Sequence, residues 1–294
     1  MTTFTEANKE HFNNAAATYD EKPWMKDLSA QIGTALLERK DWAGVRWHEP
    51  GEIGGREVKL LDYACGTGSV TKAYGPLVTK VIGVDISPNM VQLYNQEAAS
   101  AGLQPEQVRA VAGDLFADEV PAELNTAEFY NFDVIVVGLG FHHFENPVLA
   151  IQRLSERLKA GRGVLMIIDF LPFENEAEDG ANGTIKHAGF QRSNLLRLHD
   201  LAKLEKFSFS VVDEEAVMQL QHGTRKRKMF VTKALAPPTA WGKFSNWLTQ
   251  YQITASEQMR IEPKRPVPQQ LGFTGQTNVA QSDTWHREFN DKFK

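Results

Sequence analysis

The segment Val58-Lys59-Leu60-Leu61-Asp62-Tyr63-Ala64-Cys65-Gly66-Thr67-Gly68-Ser69 constrains this chain more than any other. It reads as a buried strand that stops at an acidic residue and runs into a Gly-x-Gly turn. Glycine tolerates unusual dihedrals and has no side chain, so such a turn lets the backbone approach a ligand closely. A helix should open just after it. In open α/β sheets, ligands bind at this carboxyl edge. The segment therefore predicts partner residues at the ends of later strands.

Those strands are readable. Lys80 to Asp85, Gln107 to Ala112, Phe132 to Val137 and Val164 to Asp169 follow Val58 to Tyr63, and helical signals separate them. Ser87 caps one helix, with Pro88 at its first position and Gly102 past its end. Asn146-Pro147 starts the next, which carries Val148, Ile151, Leu154 and Leu158 on one face and ends at Gly161. Alternation of this kind implies βαβ units and a mainly parallel sheet covered on both faces. Leu195, Leu196, Leu198, Leu201 and Leu204 fit a further helix. Phe207 to Val212 and Lys228 to Lys233 fit two closing strands joined by a polar turn. Arg225-Lys226-Arg227-Lys228 is expected at that turn as a solvated hairpin end rather than a nucleic-acid surface.

Ahead of the sheet, Glu6 to Thr18 reads as helix, and Leu28, Ile32, Ala35 and Leu36 share a face of a second helix begun after Pro23. Phe12, Tyr19 and Trp24 serve either as core packing or as a lid over a cleft. Three domains are expected: a helical cap over 1–57, a core over 58–235 and an extension over 236–294 that is docked or partly disordered. In the extension Trp241, Phe244, Trp247 and Leu248 could dock. The acidic stretch Glu174 to Gly183 reads as a solvated loop or a lid.

With 294 residues, 42% of them hydrophobic and 23% charged, the composition is that of a globular protein. The net charge of -5 gives no sign of a nucleic-acid partner. A single cysteine, Cys65, excludes an intrachain disulfide and supplies no clustered thiols for a metal, so no metal site is expected. No apolar run reaches membrane-spanning length, and a cytoplasmic location is expected. The oligomeric state is open.

The informative pattern is the placing of acidic residues. Asp62 ends strand one, Asp85 ends strand two and Asp114 follows strand three. A carboxylate offers four lone-pair sites, so Asp85 can accept both hydroxyls of a ribose. Asp114 can accept an exocyclic amine. A lone aspartate at a turn is ordinary; three in step beside Gly66-Thr67-Gly68 are not. Position 71 is threonine rather than a third glycine, which turns the site away from dinucleotides.

Leu61-Asp62-Tyr63-Ala64-Cys65-Gly66-Thr67-Gly68, Val84-Asp85-Ile86-Ser87-Pro88-Asn89-Met90, Gly113-Asp114-Leu115 and Phe132-Asp133-Val134-Ile135 resemble the successive motifs of class I S-adenosylmethionine-dependent methyltransferases. The pattern is closest to the ubiquinone- and menaquinone-biosynthesis-like members, which share His11-Phe12 … Ala17-Thr18-Tyr19-Asp20 and the segment Phe141-His142-His143-Phe144. The resemblance implies a Rossmann-like seven-stranded sheet of order 3-2-1-4-5-7-6, with strand seven antiparallel and helices on both faces. It implies that Gly66 to Gly68 lie under the methionine moiety, with Asp62 holding its amino group. It gives Asp85 the ribose, Ile86 and Leu115 the adenine faces, and Asp114 the adenine amine. Gly138 lines the methionine portion and Tyr19 closes over it. Ala64, Met90 and Gly113 complete the implied cofactor-binding set. Ala64 departs from the family, which often has glycine there.

A sulfonium methyl is already electrophilic, so in-line positioning can carry much of the catalysis. A phenol, thiol or enolate acceptor would also need deprotonation, which suits a histidine. His142 and His143 follow strand four at the reactive edge and are the candidate catalytic residues; His187 is a weaker candidate. Gly138-Leu139-Gly140-Phe141 stands where an Asn/Asp-Pro-Pro-aromatic segment would mark methylation of an adenine or glutamine amide nitrogen. The expected activity is methyl transfer to a small, partly apolar metabolite. The alternatives are a protein or RNA methyltransferase, or a regulatory protein that binds the cofactor without turnover.

Overall fold

The structure, a computed structural model, describes residues 3–49, 55–173, 183–220, 223–240 and 242, all within the compact unit Met1–Ser245. The lid expected over residues 174–182 and the docking expected of Trp241, Phe244, Trp247 and Leu248 lie outside the described residues.

Three helices come first: α1 (Phe4–Tyr19), α2 (Pro23–Leu37) and the single turn α3 (Lys40–Ala43). Thr3 starts α1 with a reciprocal cap, accepting from Glu6 N at 3.2 Å while its own N–H donates to Glu6 Oε2 at 2.8 Å. Then follow β1 (Lys59–Tyr63), α4 (Ser69–Tyr74), β2 (Lys80–Asp85), α5 (Pro88–Ser100), β3 (Val108–Ala112), β4 (Val134–Gly138), α6 (Pro147–Ser155), β5 (Val164–Phe170), α7 (Arg192–Leu201), β6 (Glu205–Leu220) and β7 (Gly223–Leu235).

The strands form one seven-stranded sheet of order β3-β2-β1-β4-β5-β7-β6, with β7 antiparallel to both neighbours and the rest parallel. This is the expected order. Side chains alternate across each strand, and that period sorts the core into two layers. Leu60, Val134, Val136, Met166 and Ile168 pack with α2, α4 and α5. Leu61, Ile135, Val137, Leu165 and Ile167 pack with α6 and α7. The order reverses between β1 and β4, which pair directly, so their carboxyl ends open the crevice where ligands of such sheets bind.

Several boundaries move. Asp62 is the penultimate residue of β1 rather than its last, since Tyr63 still pairs with Val84 and Val137. β4 starts at Val134, because Phe132 makes only an isolated bridge to Leu158. The larger correction is the closing hairpin. Its strands have 16 and 13 residues and pair down to Leu220 and Gly223, so Arg225–Lys228 is strand, opposite Glu215 to Met218. Only Met229 to Leu235 of β7 pair with β5, so the distal half of the ribbon overhangs the sheet edge. One face of this half is covered, with Ala216 and Met218 buried and Arg225 and Arg227 half-buried, but in β7 that face is made of arginines, so the run Arg225–Lys228 shows no apolar alternation in the sequence. A register shift between Val211 and Glu215 lets the ribbon bend. Gln31 of α2 meets it, donating from Nε2 to Glu215 O at 3.1 Å.

Candidate active site

A cavity of about 970 Å³ opens at the carboxyl ends of β1, β2 and β4. It is walled by α1 and α2 on one side and by the overhanging hairpin through Met218, Gln219, Leu220 and Arg227 on another. The volume lies at the upper end of the roughly 300–1,000 Å³ usual for ligand pockets, enough for a cofactor and an acceptor together.

Its floor is the turn after β1. Gly66 has φ +49° and nothing within 4 Å of where a Cβ would stand, so the bare backbone borders open space. Gly68 does not line the cavity. It caps α4 with φ +89°, and a Cβ there would come within 3.1 Å of the Tyr94 ring. Ala64 holds φ +57° and Leu139, at the end of the neighbouring β4, φ +53°, both left-handed conformations that L side chains resist. Ala64 is accommodated because Gly140 lacks a side chain; a Cβ on Gly140 would sit 2.7 Å from that of Ala64. Strain held at a cavity wall is a usual mark of a functional site.

Three carboxylates face this floor. Asp62 is 1% exposed, and its Oδ2 accepts from Thr71 N at 3.1 Å and Thr71 Oγ1 at 2.8 Å. Burial pushes its pKa up to about 7, opposed by the Thr71 bonds and assisted by the nearby Asp85 charge. Asp85 accepts from Gly66 N at Oδ2 and from Ser87 N at Oδ1, both at 2.9 Å. Burial raises its pKa too, and backbone N–H donors from Ser87, Gly66 and Ile86 hold it down. Asp114 Oδ1 accepts from Phe116 N at 2.7 Å and Tyr63 Oη at 3.2 Å. Each bond uses one of four acceptor sites per carboxylate, so all three retain lone pairs. A ligand carrying an ammonium, a ribose diol and an aryl amine fits that donor-hungry set.

Ile86, Met90 and Gly138 also line the cavity. Gly113 and Leu115 do not. A Cβ on Gly113 would fall 2.5 Å from Leu124 Cδ1, so its bareness serves the layer beneath, and Leu115 is fully buried in that layer. Tyr19 lines the cavity, its phenol pushed up to about 12 by burial and by the Asp85 and Asp20 carboxylates. Sequence reasoning missed the ties of α1 to this floor. Thr67 Oγ1 donates to Asp20 Oδ1 at 3.1 Å, and Asn13 Oδ1 accepts from Ser87 Oγ at 2.7 Å.

Beyond the floor stand both candidate histidines. His142 is 5% exposed, and its Nδ1 lies 2.8 Å from Asp169 Oδ1. Asp169 is fully buried and also accepts from His142 N at 3.0 Å and Phe170 N at 2.7 Å. His142 lines the cavity, and its Nε2 makes no hydrogen bond with the described residues. His143 lies against it with ring centroids 4.1 Å apart. Its Nδ1 sits 2.7 Å from Thr184 O, and burial, with the neighbouring His142, lowers its pKa well below that of free histidine. His143 is therefore neutral at physiological pH, with Nδ1–H as the donor. In the sequence Asp169 ends the fifth expected strand, as Asp85 ends the second, and that position is the signal that marks it. His187 does not line the cavity; its Nε2 bonds Phe144 O at 3.1 Å, and the ring packs on Phe190. Arg227, expected in solvent, is half-buried with its guanidinium 3.6 Å over the Phe173 ring. Cys65 is buried under Gly83, and burial pushes its thiol well up.

Residues 61–165 match the family model described as a methyltransferase domain. These residues form a methyltransferase domain, and the strand order above is the one that the resemblance to class I S-adenosylmethionine-dependent methyltransferases implies; the chain is a methyltransferase, an enzyme whose cofactor is S-adenosylmethionine. Among curated relatives, the chain is 23% identical over 238 residues to an uncharacterized methyltransferase of Schizosaccharomyces pombe, covering 69% of this chain and 81% of that one. It is 34% identical over 166 residues to demethylmenaquinone methyltransferase of Staphylococcus aureus, covering 54% of each chain. The chain thus spans about half the length of that relative. Among solved structures, a chain of the Haloferax volcanii complex containing the Trm112 methyltransferase activator shares the fold, with TM-score 0.54 and 17% identity over 77% of this chain and 97% of that one. No described helix is long and apolar enough to cross a membrane.

Proposed function

We propose that this enzyme methylates a small, partly apolar metabolite bearing a hydroxylated ring, with His142 as the general base. The observation that carries the reading is His142, paired with the buried Asp169 behind it, on the wall of the same cavity as Asp62, Asp85 and Asp114. In this reading Asp62 holds the ammonium of the cofactor, Asp85 its ribose hydroxyls and Asp114 its adenine amine. Gly66, Ala64, Gly138 and Tyr19 enclose the methionine portion, and Ile86 and Met90 pack on the adenosine. When bound, S-adenosylmethionine supplies a methyl group on a sulfonium, which transfers to a nucleophile and leaves a neutral thioether.

The protein's own part is orientation and proton removal. Asp169 accepts the Nδ1–H of His142, which fixes the tautomer with the Nε2 lone pair toward the cavity. It also stabilises the imidazolium formed when Nε2 takes the acceptor's proton. Neutral His143 and the ring of Phe12, 5.2 Å from it, shield this point from water. The apolar side chains of Trp24, Leu28, Phe144, Phe170 and Leu220 receive the acceptor's body. The resemblance to a demethylmenaquinone methyltransferase is consistent with such an acceptor.

The test is transfer of labelled methyl from S-adenosylmethionine to a panel of phenols, thiols, amines and carboxylates. Phenols should lead, and His142→Ala should slow them by roughly 10²–10⁴-fold, the usual worth of a positioned base. A panel led by amines, or an unchanged rate in the variant, would sink the base assignment.

A further inference from the structure

Arg227 lines the cavity without a role in holding the cofactor or moving the proton. It stands on β7 opposite Ala216, on the covered face of the overhanging ribbon that the buried Ala216 and Met218 share. Its guanidinium carbon lies 3.6 Å over the Phe173 ring and 5.5 Å from the centroid of Phe170. Half-burying an arginine on such a face costs desolvation that a leucine or methionine would avoid while packing on the same rings. Stacking engages the flat face of the guanidinium. Its five N–H donors lie in the plane and suffice for more than one partner.

Phe170 places this cation relative to the base. The His142 ring lies 5.5 Å from the centroid of Phe170, the same distance as the guanidinium carbon of Arg227, and all three side chains line the cavity. His142 and Arg227 are therefore at most twice that distance apart. One aromatic ring with a hydrogen bond at each end fits such a span. Beyond Arg227 lies a second cavity of about 400 Å³, which Arg227 also lines. Its other charged residues, among those described, are Arg225, Lys226, Lys228 and Glu215. In a chain of net charge -5, such a cluster of cations makes this side of the cavity locally attractive to an anion. The cofactor end, with Asp62, Asp85 and Asp114, has the opposite sign.

We propose that Arg227 binds a carboxylate on the methyl acceptor, across Phe170 from His142, so that the acceptor is a hydroxyaryl carboxylic acid methylated on its hydroxyl. The planar fork of a guanidinium matches the two oxygens of a carboxylate, which fixes the ring's direction as well as its charge. The inference rests on the reading of this cavity as the site of a hydroxylated-ring acceptor and adds the charge which that acceptor carries.

The full chain, Arg227→Met and Arg227→Lys are compared for label transfer to meta- and para-hydroxybenzoate and to the corresponding hydroxybenzamides, which keep the ring and the hydroxyl but lose the charge. Wild type should favour the acids by roughly ten- to a hundredfold in kcat/KM, the discrimination expected of hydrogen bonds to a charged partner, and the label should sit in an alkali-stable ether. Arg227→Met should bring the ratio of acid to amide near one, and Arg227→Lys should restore part of it. Both variants should bind S-adenosylhomocysteine with wild-type affinity. An acid preference retained in Arg227→Met, or absent from wild type, overturns the inference and leaves the hydroxylated-ring acceptor standing. A loss of S-adenosylhomocysteine affinity with the melting temperature unchanged also overturns it, giving the arginine to the cofactor's own carboxylate. Transfer to none of these probes by wild type with normal cofactor affinity overturns both the inference and the hydroxylated-ring acceptor.

Discussion

Replacing Asp62 by asparagine should remove a proton that cofactor binding releases. The carboxyl is 1% exposed, and burial pushes its pKa up to about 7 from the 3.8 of a free aspartate. In the empty folded protein its ionised form is thus disfavoured by about 4 kcal/mol relative to an exposed aspartate. The sign follows from linkage. Between pH about 4 and about 7 the native state holds this proton and the unfolded state does not, so this group's contribution to stability falls as pH rises through that window. An ammonium placed beside Asp62 favours the ionised form and reverses the penalty. Below pH 7 the cofactor must therefore expel the proton, and its affinity should weaken about tenfold per pH unit; above pH 7 it should level off. Calorimetry of S-adenosylmethionine binding in two buffers of different ionisation enthalpy measures the released protons. Wild type should release ~0.9 proton at pH 6 and ~0.1 at pH 8 from this group. Asp62→Asn should lose that release and bind weakly with a flatter pH profile, while its empty form melts higher than wild type at pH 8. Equal proton release by the two proteins at pH 6 would refute the reasoning.

Asp85→Ala should weaken cofactor binding by roughly two orders of magnitude, since both ribose bonds to a charged acceptor are lost; circular dichroism should show the fold retained. Asp169→Asn should cut kcat sharply with little change in cofactor Kd, because it leaves the His142 position but not the tautomer or the imidazolium support, and the pH–rate profile should shift with it. Ala64→Gly should raise Tm by a few degrees, as relief of about 1 kcal/mol of left-handed strain would in a domain of this size. Gly140→Ala should lower Tm through its 2.7 Å clash with the Ala64 Cβ. The double variant should recover most of that loss, and a simple sum of the two effects would argue against the contact.

The sequence by itself determined the sheet and the floor of the site. Alternating βαβ signals give a mainly parallel sheet, because hydrophobic period and glycine placement are local properties of the chain; the strand order came with the resemblance that the motifs after β1 and β2 carry. Asp62, Asp85 and Asp114 were legible for the same reason: each sits at or near a strand end, and parallel strands in register bring such ends to one edge. What lay across the cavity was not legible. Asp169 could have been read as one more acid at that edge, but its bond to His142 requires β4 and β5 to be neighbours. Asn8 and Asn13 look like surface residues of a polar helix until α1 is laid along the crevice. Arg225–Lys228 looks like a charged turn until the hairpin is long enough to overhang the sheet and fold Arg227 onto Phe173. Only the tertiary structure could decide these, because each depends on contacts between segments far apart in the chain whose local patterns carry no trace of the partner.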